Sequence, residues 1–154
     1  MSELIRLGCA VADVYHRYHE IHGAVFGASY VRRMIDALRG QREDTYKKFI
    51  HDLQSQREEL IRLEAQIADP KQQTPVTGAD RELRRALLEY TGALIDAVGR
   101  LGKICIQVGQ DEAGYRKPGD DGRSPFTRDK LDYDQLLSEL ERVGTRLEKL
   151  FSNY

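Results

Sequence analysis

Hydrophobic residues recur at alternating intervals of three and four positions along four stretches of this chain of 154 residues. This spacing places them on one face of an α-helix and is typical of amphipathic helices that pack through a heptad seam. No run of alternating β-branched residues competes with this pattern in the sequence. The pattern therefore predicts an all-α protein with helices over about 2–22, 29–68, 79–109 and 127–152.

The connections between the predicted helices are marked by glycine and proline. Gly23 and Gly27 bracket the turn after the first helix, and the tract 70–78 carries two prolines and a glycine. The last connection, 110–126, holds three glycines and two prolines and is predicted to be an exposed loop. Because short connections favour antiparallel neighbours, we expect one domain, 1–154, folded as an antiparallel up-and-down bundle of four helices.

The predicted second helix is much longer than the first. At 1.5 Å per residue it would measure roughly 60 Å and extend about 27 Å beyond the first helix. Its apolar line continues through Leu60, Leu63 and Ile67 over this surplus length. We therefore expect these residues to lack a partner within the chain and to form an interface with a second copy or with a partner's helix.

Composition and charge exclude several classes of protein. The 24 basic and 25 acidic residues give a formal charge of -1, and the basic clusters have acidic neighbours, so a nucleic-acid partner is not expected. No apolar run approaches the roughly 18 residues that a membrane-spanning helix needs, so no membrane partner is expected. The two cysteines lie within helical apolar patterns, which is typical of reduced thiols in a cytoplasmic protein.

Three of the four histidines lie in the segment HRYHEIH of the first predicted helix. Imidazole and carboxylate groups bind divalent ions, and the candidates for such a site are Asp13, His16, His19, Glu20 and His22. Spacings of three and six residues spread the three rings over about 120° of the helix surface, with His16 and His19 pointing outward. A closed site would need a ligand from another helix. Solvated histidines are therefore the favoured interpretation, and no metal or other cofactor is expected.

A line of glycines on the third predicted helix is the most informative feature of the sequence. Gly92, Gly99 and Gly102 lie on this line with Ile95, and each glycine inside a helix costs about 0.5–1 kcal/mol relative to alanine. In the favoured interpretation, a neighbouring helix presses a Leu, Tyr or Phe side chain against the bare backbone. In the alternative interpretation, the line forms a groove for a ligand or for a partner's helix.

Catalytic motifs are weak in this chain. The sequence has no phosphate-binding glycine loop after a strand, and its spacing brings no Ser, His and Asp or Cys and His set together. We therefore expect no catalytic residues and a non-enzymatic interaction or scaffold module that acts through self-association or packing with a partner's helix. The alternative hypothesis is a small metal-binding helical-bundle protein or enzyme that uses His16, His19 and His22.

Overall fold

The computed structural model describes residues 2–26, 42–69, 71, 77–110 and 125–153. These residues form four helices, numbered here in chain order as α1 (Ser2–Phe26), α2 (Arg42–Ala68), α3 (Gly78–Gln110) and α4 (Pro125–Phe151). The described residues contain no strand, and the four helices share one hydrophobic core. The prediction of an all-α bundle of four helices is confirmed.

Neighbouring helices in the bundle run in opposite directions. Between α3 and α4, Glu89 pairs with Arg146 at 3.2 Å and Arg100 pairs with Asp129 at 3.1 Å, so residue numbers rise along one helix as they fall along the other. Contacts between α2 and α3, and between α1 and α4, follow the same reversed order. The antiparallel up-and-down arrangement that the sequence predicts is therefore present.

Local sequence explains where the later helices begin. The Thr77 hydroxyl oxygen accepts a hydrogen bond from the backbone N–H of Asp80 at 3.1 Å, which satisfies one of the free donors in the first turn of α3. Helix α4 begins at Pro125. Proline suits this first position because the N–H group that it lacks would have no partner within the helix.

Helix α1 is longer than the sequence pattern predicts. The prediction ended this helix at residue 22 because of Gly23, yet the helix continues to Phe26. Val25 is only 4% exposed, and the Phe26 ring lies 5.6 Å from the ring of Tyr133. Burying a valine side chain contributes about 1.5–3 kcal/mol, which outweighs the cost of about 1 kcal/mol for a glycine inside a helix.

The apolar seam predicted along α1 forms one wall of the core. All seven of its members are buried: Leu4, Leu7, Val11, Val14, Tyr18, Ile21 and Val25. They belong to the same core cluster as the apolar residues of α2, α3 and α4. The spacing of three and four in the sequence therefore identified the buried face of this helix correctly.

The apolar line of α2 has its partner within the chain. Leu60, Leu63 and Ile67 are 0%, 8% and 1% exposed and belong to the core cluster, so the expectation that they lack an intrachain partner is wrong. Helix α2 has 27 described residues and α1 has 25, so the two helices are nearly equal in length over this part of the chain. The predicted start of the second helix, 29–41, and most of the predicted loop, 111–124, lie outside the described residues.

Candidate functional site

Helices α1 and α4 meet through aromatic side chains at two levels of the bundle. At one level, Phe151 lies over Gly8, where a Cβ atom would be 2.7 Å from Phe151 Cζ. At the other level, the Tyr133 hydroxyl is hydrogen-bonded to the Tyr18 hydroxyl and to His22 Nδ1. These two bridges are separated by about 15 Å along α1, from Gly8 to Tyr18. Between them the two helices leave a cavity.

The cavity has two adjoining parts, which differ in their walls. The polar part has a volume of about 500 Å³ and is lined by Tyr15, Tyr18, His19, His22, Tyr90, Leu137, Leu140, Glu141, Gly144, Thr145 and Glu148. The apolar part has a volume of about 370 Å³ and is lined by Ile5, Gly8, Cys9, Val11, Ala12, Tyr15, Leu87, Tyr90, Gly144, Leu147, Glu148 and Phe151. Both volumes lie within the range of about 300–1,000 Å³ that is usual for ligand pockets.

Small residues on α1 and α4 make room for this cavity. Gly8 and Ala12 line it from α1, and Gly144 lines it from α4. A Cβ atom at Gly144 would lie 3.2 Å from Cε2 of Tyr90, so the Tyr90 ring rests almost directly on the α4 backbone. Close approach of a ring to a helix backbone therefore occurs at Gly8 and Gly144.

A buried hydrogen-bond cluster closes one end of the cavity. Tyr18 and Tyr133 are 1% and 0% exposed, and their hydroxyl groups are hydrogen-bonded to each other. The Tyr133 hydroxyl also lies 2.7 Å from Nδ1 of the half-buried His22. All three groups are satisfied when Tyr18 donates to Tyr133 and Tyr133 donates to an unprotonated His22 Nδ1. The same contacts are also satisfied in the opposite direction, with His22 Nδ1 donating to Tyr133 and Tyr133 donating to Tyr18, so they are compatible with either form of the imidazole.

The ionisation of these groups is shifted toward their neutral forms. Burial raises the pKa of Tyr18 to about 12 and raises that of Tyr133 further, with the neighbouring Tyr18 adding to the effect. The pKa of His22 is lowered, first by burial and then by repulsion from His19 and Lys130. At neutral pH the cluster therefore holds two protonated phenols and an uncharged imidazole.

A column of rings follows α1 along the cavity wall. The His19 ring is stacked at 22° on Tyr15 and at 15° on His22, and His22 in turn contacts the ring of Phe26. Lys130 Nζ lies 4.6 Å from the centre of the Phe26 ring, where a cation is attracted to the aromatic face. His19 and His22 are thus held in an aromatic column.

Two carboxylates lie at the mouth of the cavity, and several acidic side chains elsewhere on the bundle are paired with a basic residue. Glu139 pairs with Arg142, and Glu89 pairs with Arg146. Glu141 and Glu148 line the polar part, and neither forms a salt bridge with a basic side chain among the described residues. No Lys or Arg side chain lines the cavity within the described part of the chain. The mouth therefore carries unpaired negative charge.

The structure separates the candidate metal ligands that the sequence suggested. Asp13, His16, His19 and Glu20 are exposed and His22 is half-buried, and of these five residues only His19 and His22 line the cavity. Across the described ranges, no group of three or more His, Cys, Asp or Glu side chains is placed to hold a metal ion. The arrangement is therefore not a preformed metal site.

The glycine line of α3 faces polar side chains of α2. A Cβ atom would meet the Glu64 carboxylate at 3.6 Å at Gly92 and Arg57 Nε at 3.5 Å at Gly99, both of which are ordinary contacts. At Gly102 it would meet no atom of the described residues within 4 Å. The favoured interpretation, in which an apolar side chain presses on these glycines, is therefore wrong.

The remaining member of that line, Ile95, is 8% exposed and belongs to the hydrophobic core. Gly92, Gly99 and Gly102 are also absent from the residues that line the cavity between α1 and α4. The cavity therefore does not test the alternative interpretation of a groove at these glycines, which stays a prediction.

Sequence reasoning missed most of the residues that build the cavity. Tyr90 and Gly144 lie within helical apolar patterns and carry no separate signal of a cavity. Glu141 and Glu148 are two of 25 acidic residues, and nothing in their spacing sets them apart. A usable signal was present in the ring-bearing residues of α1, which recur at helical spacing from Tyr15 to Phe26. The spacing of residues within each helix does not show that α1 and α4 meet through aromatic bridges.

No family model, curated protein or solved structure matches this chain. In the part of the chain that the structure describes, every helix is too short or too polar to span a bilayer. The fold and the site together define the class of protein, which is a four-helix bundle with a cavity between its first and last helices.

Proposed function

We propose that this protein is a non-enzymatic binding module that holds a small organic ligand in the cavity between α1 and α4. The observation that carries the proposal is a cavity of about 500 Å³ with convergent phenol, imidazole and carboxylate groups, joined to an apolar part of about 370 Å³. Ligand sites in helical bundles combine apolar walls with a few polar groups that fix orientation.

A small ligand suits this cavity better than a partner's helix. The bridges at Phe151 and Tyr133 limit the opening to about 15 Å along α1, whereas a helix with its side chains is about 10–12 Å wide and needs a groove several turns long. A helix laid along this seam would have to displace both bridges. The proposal therefore differs from the interaction module expected from the sequence, which acts through self-association or packing with a partner's helix.

Binding is favoured over catalysis by the state of the polar groups. The raised pKa values of Tyr18 and Tyr133 keep both phenols protonated at neutral pH, and His22 is hydrogen-bonded to Tyr133. The Thr145 hydroxyl donates to the backbone oxygen of Glu141 at 2.9 Å, away from any imidazole partner. These groups can orient a ligand, but they do not form the nucleophile and base pair that covalent catalysis requires.

A fragment screen by ligand-observed NMR tests the proposal. Ala12 is exposed at the mouth of the apolar part, so Ala12→Trp should block the cavity. Ala24→Trp is the matched control, because Ala24 is exposed on the same helix away from the cavity. We expect fragments to bind the unmodified protein and Ala24→Trp but to be lost from Ala12→Trp. Fragments that bind all three proteins equally, or none that bind the unmodified protein, would reject the cavity as the ligand site.

Self-association, the other form of interaction expected from the sequence, is a separate proposal that needs a different surface. Leu60, Leu63 and Ile67 are buried in the chain itself, so a dimer would have to use exposed apolar residues such as Ile61, which is 41% exposed. Light scattering at micromolar concentration tests this proposal, and a monomeric mass would reject it.

A further inference from the structure

The charge and the ring geometry of the polar part indicate which class of ligand the cavity takes. We propose that the ligand is a free organic ammonium ion that carries a short alkyl substituent, with its charged group in the polar part and its alkyl group in the apolar part. This inference rests on the proposed function, because it assigns the chemistry of a ligand in the same cavity.

The charges that face the cavity favour a cation. Glu141 and Glu148 supply two carboxylates without a basic partner among the described residues, and no Lys or Arg side chain of the described chain lines either part. His22 adds no positive charge at neutral pH because burial lowers its pKa. The residues that line the cavity offer an anion no Lys or Arg side chain, and Lys130, whose charge acts on His22, is not among them. An ammonium ion would lie beside the two carboxylates.

Aromatic rings form walls of different orientation around the same space. The Tyr15 ring is tilted by 52° to the ring of Tyr18 and by 54° to the ring of Tyr90, with centre-to-centre distances of 6.1 and 6.5 Å. All three tyrosines line the polar part, and a cation that contacts the face of an aromatic ring is attracted to it, which is how alkylated ammonium ions are recognised. The phenols are also protonated at neutral pH, so they solvate a cation without forming an ion pair.

The apolar part explains why the ligand should carry an alkyl group. Leu87 and Leu147 line this part, and Tyr15, Tyr90 and Glu148 line both parts. A ligand that lies along these shared residues can have its charge near Glu148 and its hydrocarbon among leucines. The volume of about 370 Å³ accommodates a chain of several carbons.

Three probes with one chain length separate the effect of charge from that of hydrocarbon. We expect hexylammonium to bind about tenfold more tightly than 1-hexanol in titration calorimetry at low salt, which corresponds to about 1.4 kcal/mol. Hexanoate should bind more weakly than either, because it repels the two carboxylates. Equal binding of hexylammonium and hexanol would overturn the ammonium assignment and leave the cavity as a ligand site. A capped lysine amide that binds more tightly than hexylammonium would overturn the assignment to a free small molecule.

Variants at the mouth of the cavity locate the charge effect. The double variant Glu141→Gln with Glu148→Gln should weaken hexylammonium about threefold to tenfold and leave hexanol unchanged, since exposed carboxylates interact moderately with a cation. Glu82→Gln is the matched control because Glu82 is exposed on α3 and does not line the cavity. An equal loss of hexylammonium binding in the double variant and in the control would overturn the proposal. Fragment binding by the unmodified protein would then leave the proposed function in place. If the unmodified protein binds none of the fragments or probes, both proposals are rejected.

Discussion

The interface between α2 and α3 and the interface between α1 and α4 use the same kinds of residue with opposite results. Along α2 and α3, buried leucines such as Leu60 and Leu94 belong to one core, and Gly92 and Gly99 of α3 face flexible charged side chains. Between α1 and α4, Gly8 faces the Phe151 ring, and aromatic side chains join the helices at two levels with a cavity between them. Rigid rings at intervals bridge two helices without filling the space between the bridges.

This contrast separates the interface that contributes most to stability from the interface that contains the cavity. A continuous apolar interface gains free energy from every buried side chain, so α2 and α3 can stabilise the fold. The seam of α1 and α4 gives up part of that burial and exposes polar groups to a common space. Substitutions in the first interface should therefore cost the most stability, and substitutions of half-buried residues that line the cavity should cost less.

The largest expected effect is at Leu60, which is 0% exposed in α2. Leu60→Ala should lower the free energy of unfolding by about 2–5 kcal/mol, because it removes buried methyl groups and leaves a void. Leu137→Ala is the comparison in α4, where the side chain is half-buried and already faces the cavity. Leu137→Ala should lower the free energy of unfolding by less than about 2 kcal/mol. Denaturant unfolding of both variants measures the difference, and equal losses would show that the two interfaces are packed alike.

The next effect concerns the hydroxyl that closes the cavity at one end. Tyr133→Phe leaves the Tyr18 hydroxyl buried without its partner, which should destabilise the protein by about 1–3 kcal/mol. Adding Tyr18→Phe should restore part of this loss, because no unpaired hydroxyl then remains between the two rings. Denaturant unfolding of the single and double variants measures both steps. A double variant that is no more stable than Tyr133→Phe alone would contradict this account of the cluster.

The sequence predicted the helices and the core of this protein better than it predicted the site. Heptad spacing identified the buried face of α1, since it depends only on the period of the helix and on the hydrophobic effect. The ends of helices were less certain, because the burial of Val25 and not the local signal of Gly23 determines where α1 stops.

The cavity depends on which helices meet and at what distance, which spacing within one helix does not encode. The glycines illustrate this limit. Gly99 and Gly144 both lie inside helices beside apolar residues, yet one faces the Arg57 side chain and the other faces the Tyr90 ring. Only the packing of two helices distinguishes a glycine that admits a ring from one that does not.

Acidification should destabilise the protein by a smaller amount through His22. Its pKa in the folded protein is lowered by burial, by His19 and by Lys130, with Asp134 acting in the opposite direction. The unfolded chain, with a histidine pKa of about 6.5, therefore binds the proton more readily. This contribution to stability is present above a pH of about 6.5 and is lost as the pH falls through the lower folded value.

The effect should be smaller than that of Tyr133→Phe, since a protonated His22 can still donate from Nδ1 to Tyr133. Unfolding midpoints measured on both sides of the ordinary histidine pKa of about 6.5 follow this loss. His22→Gln should flatten the dependence on pH, whereas the exposed His16→Gln should leave it unchanged. The same slope in all three proteins would mean that another group carries the titration.

The smallest expected effects come from two glycines in different surroundings, Gly102 of α3 and Gly144 of α4, which faces the Tyr90 ring of α3. A Cβ atom added at Gly102 of α3 would have no atom of the described residues within 4 Å. Gly102→Ala should therefore stabilise the protein by about 0.5–1 kcal/mol through helix propensity alone. Gly144→Ala places its Cβ atom 3.2 Å from Tyr90 Cε2, so the ring must move by a few tenths of an ångström toward the cavity. Most of the gain in propensity should then be lost, and ligand binding should change because Tyr90 lines both parts. Unfolding midpoints and hexylammonium titrations of the two variants test this pairing. Equal stabilisation with unchanged binding would show that Tyr90 is free to adjust and that the open seam between α1 and α4 is not set by Gly144.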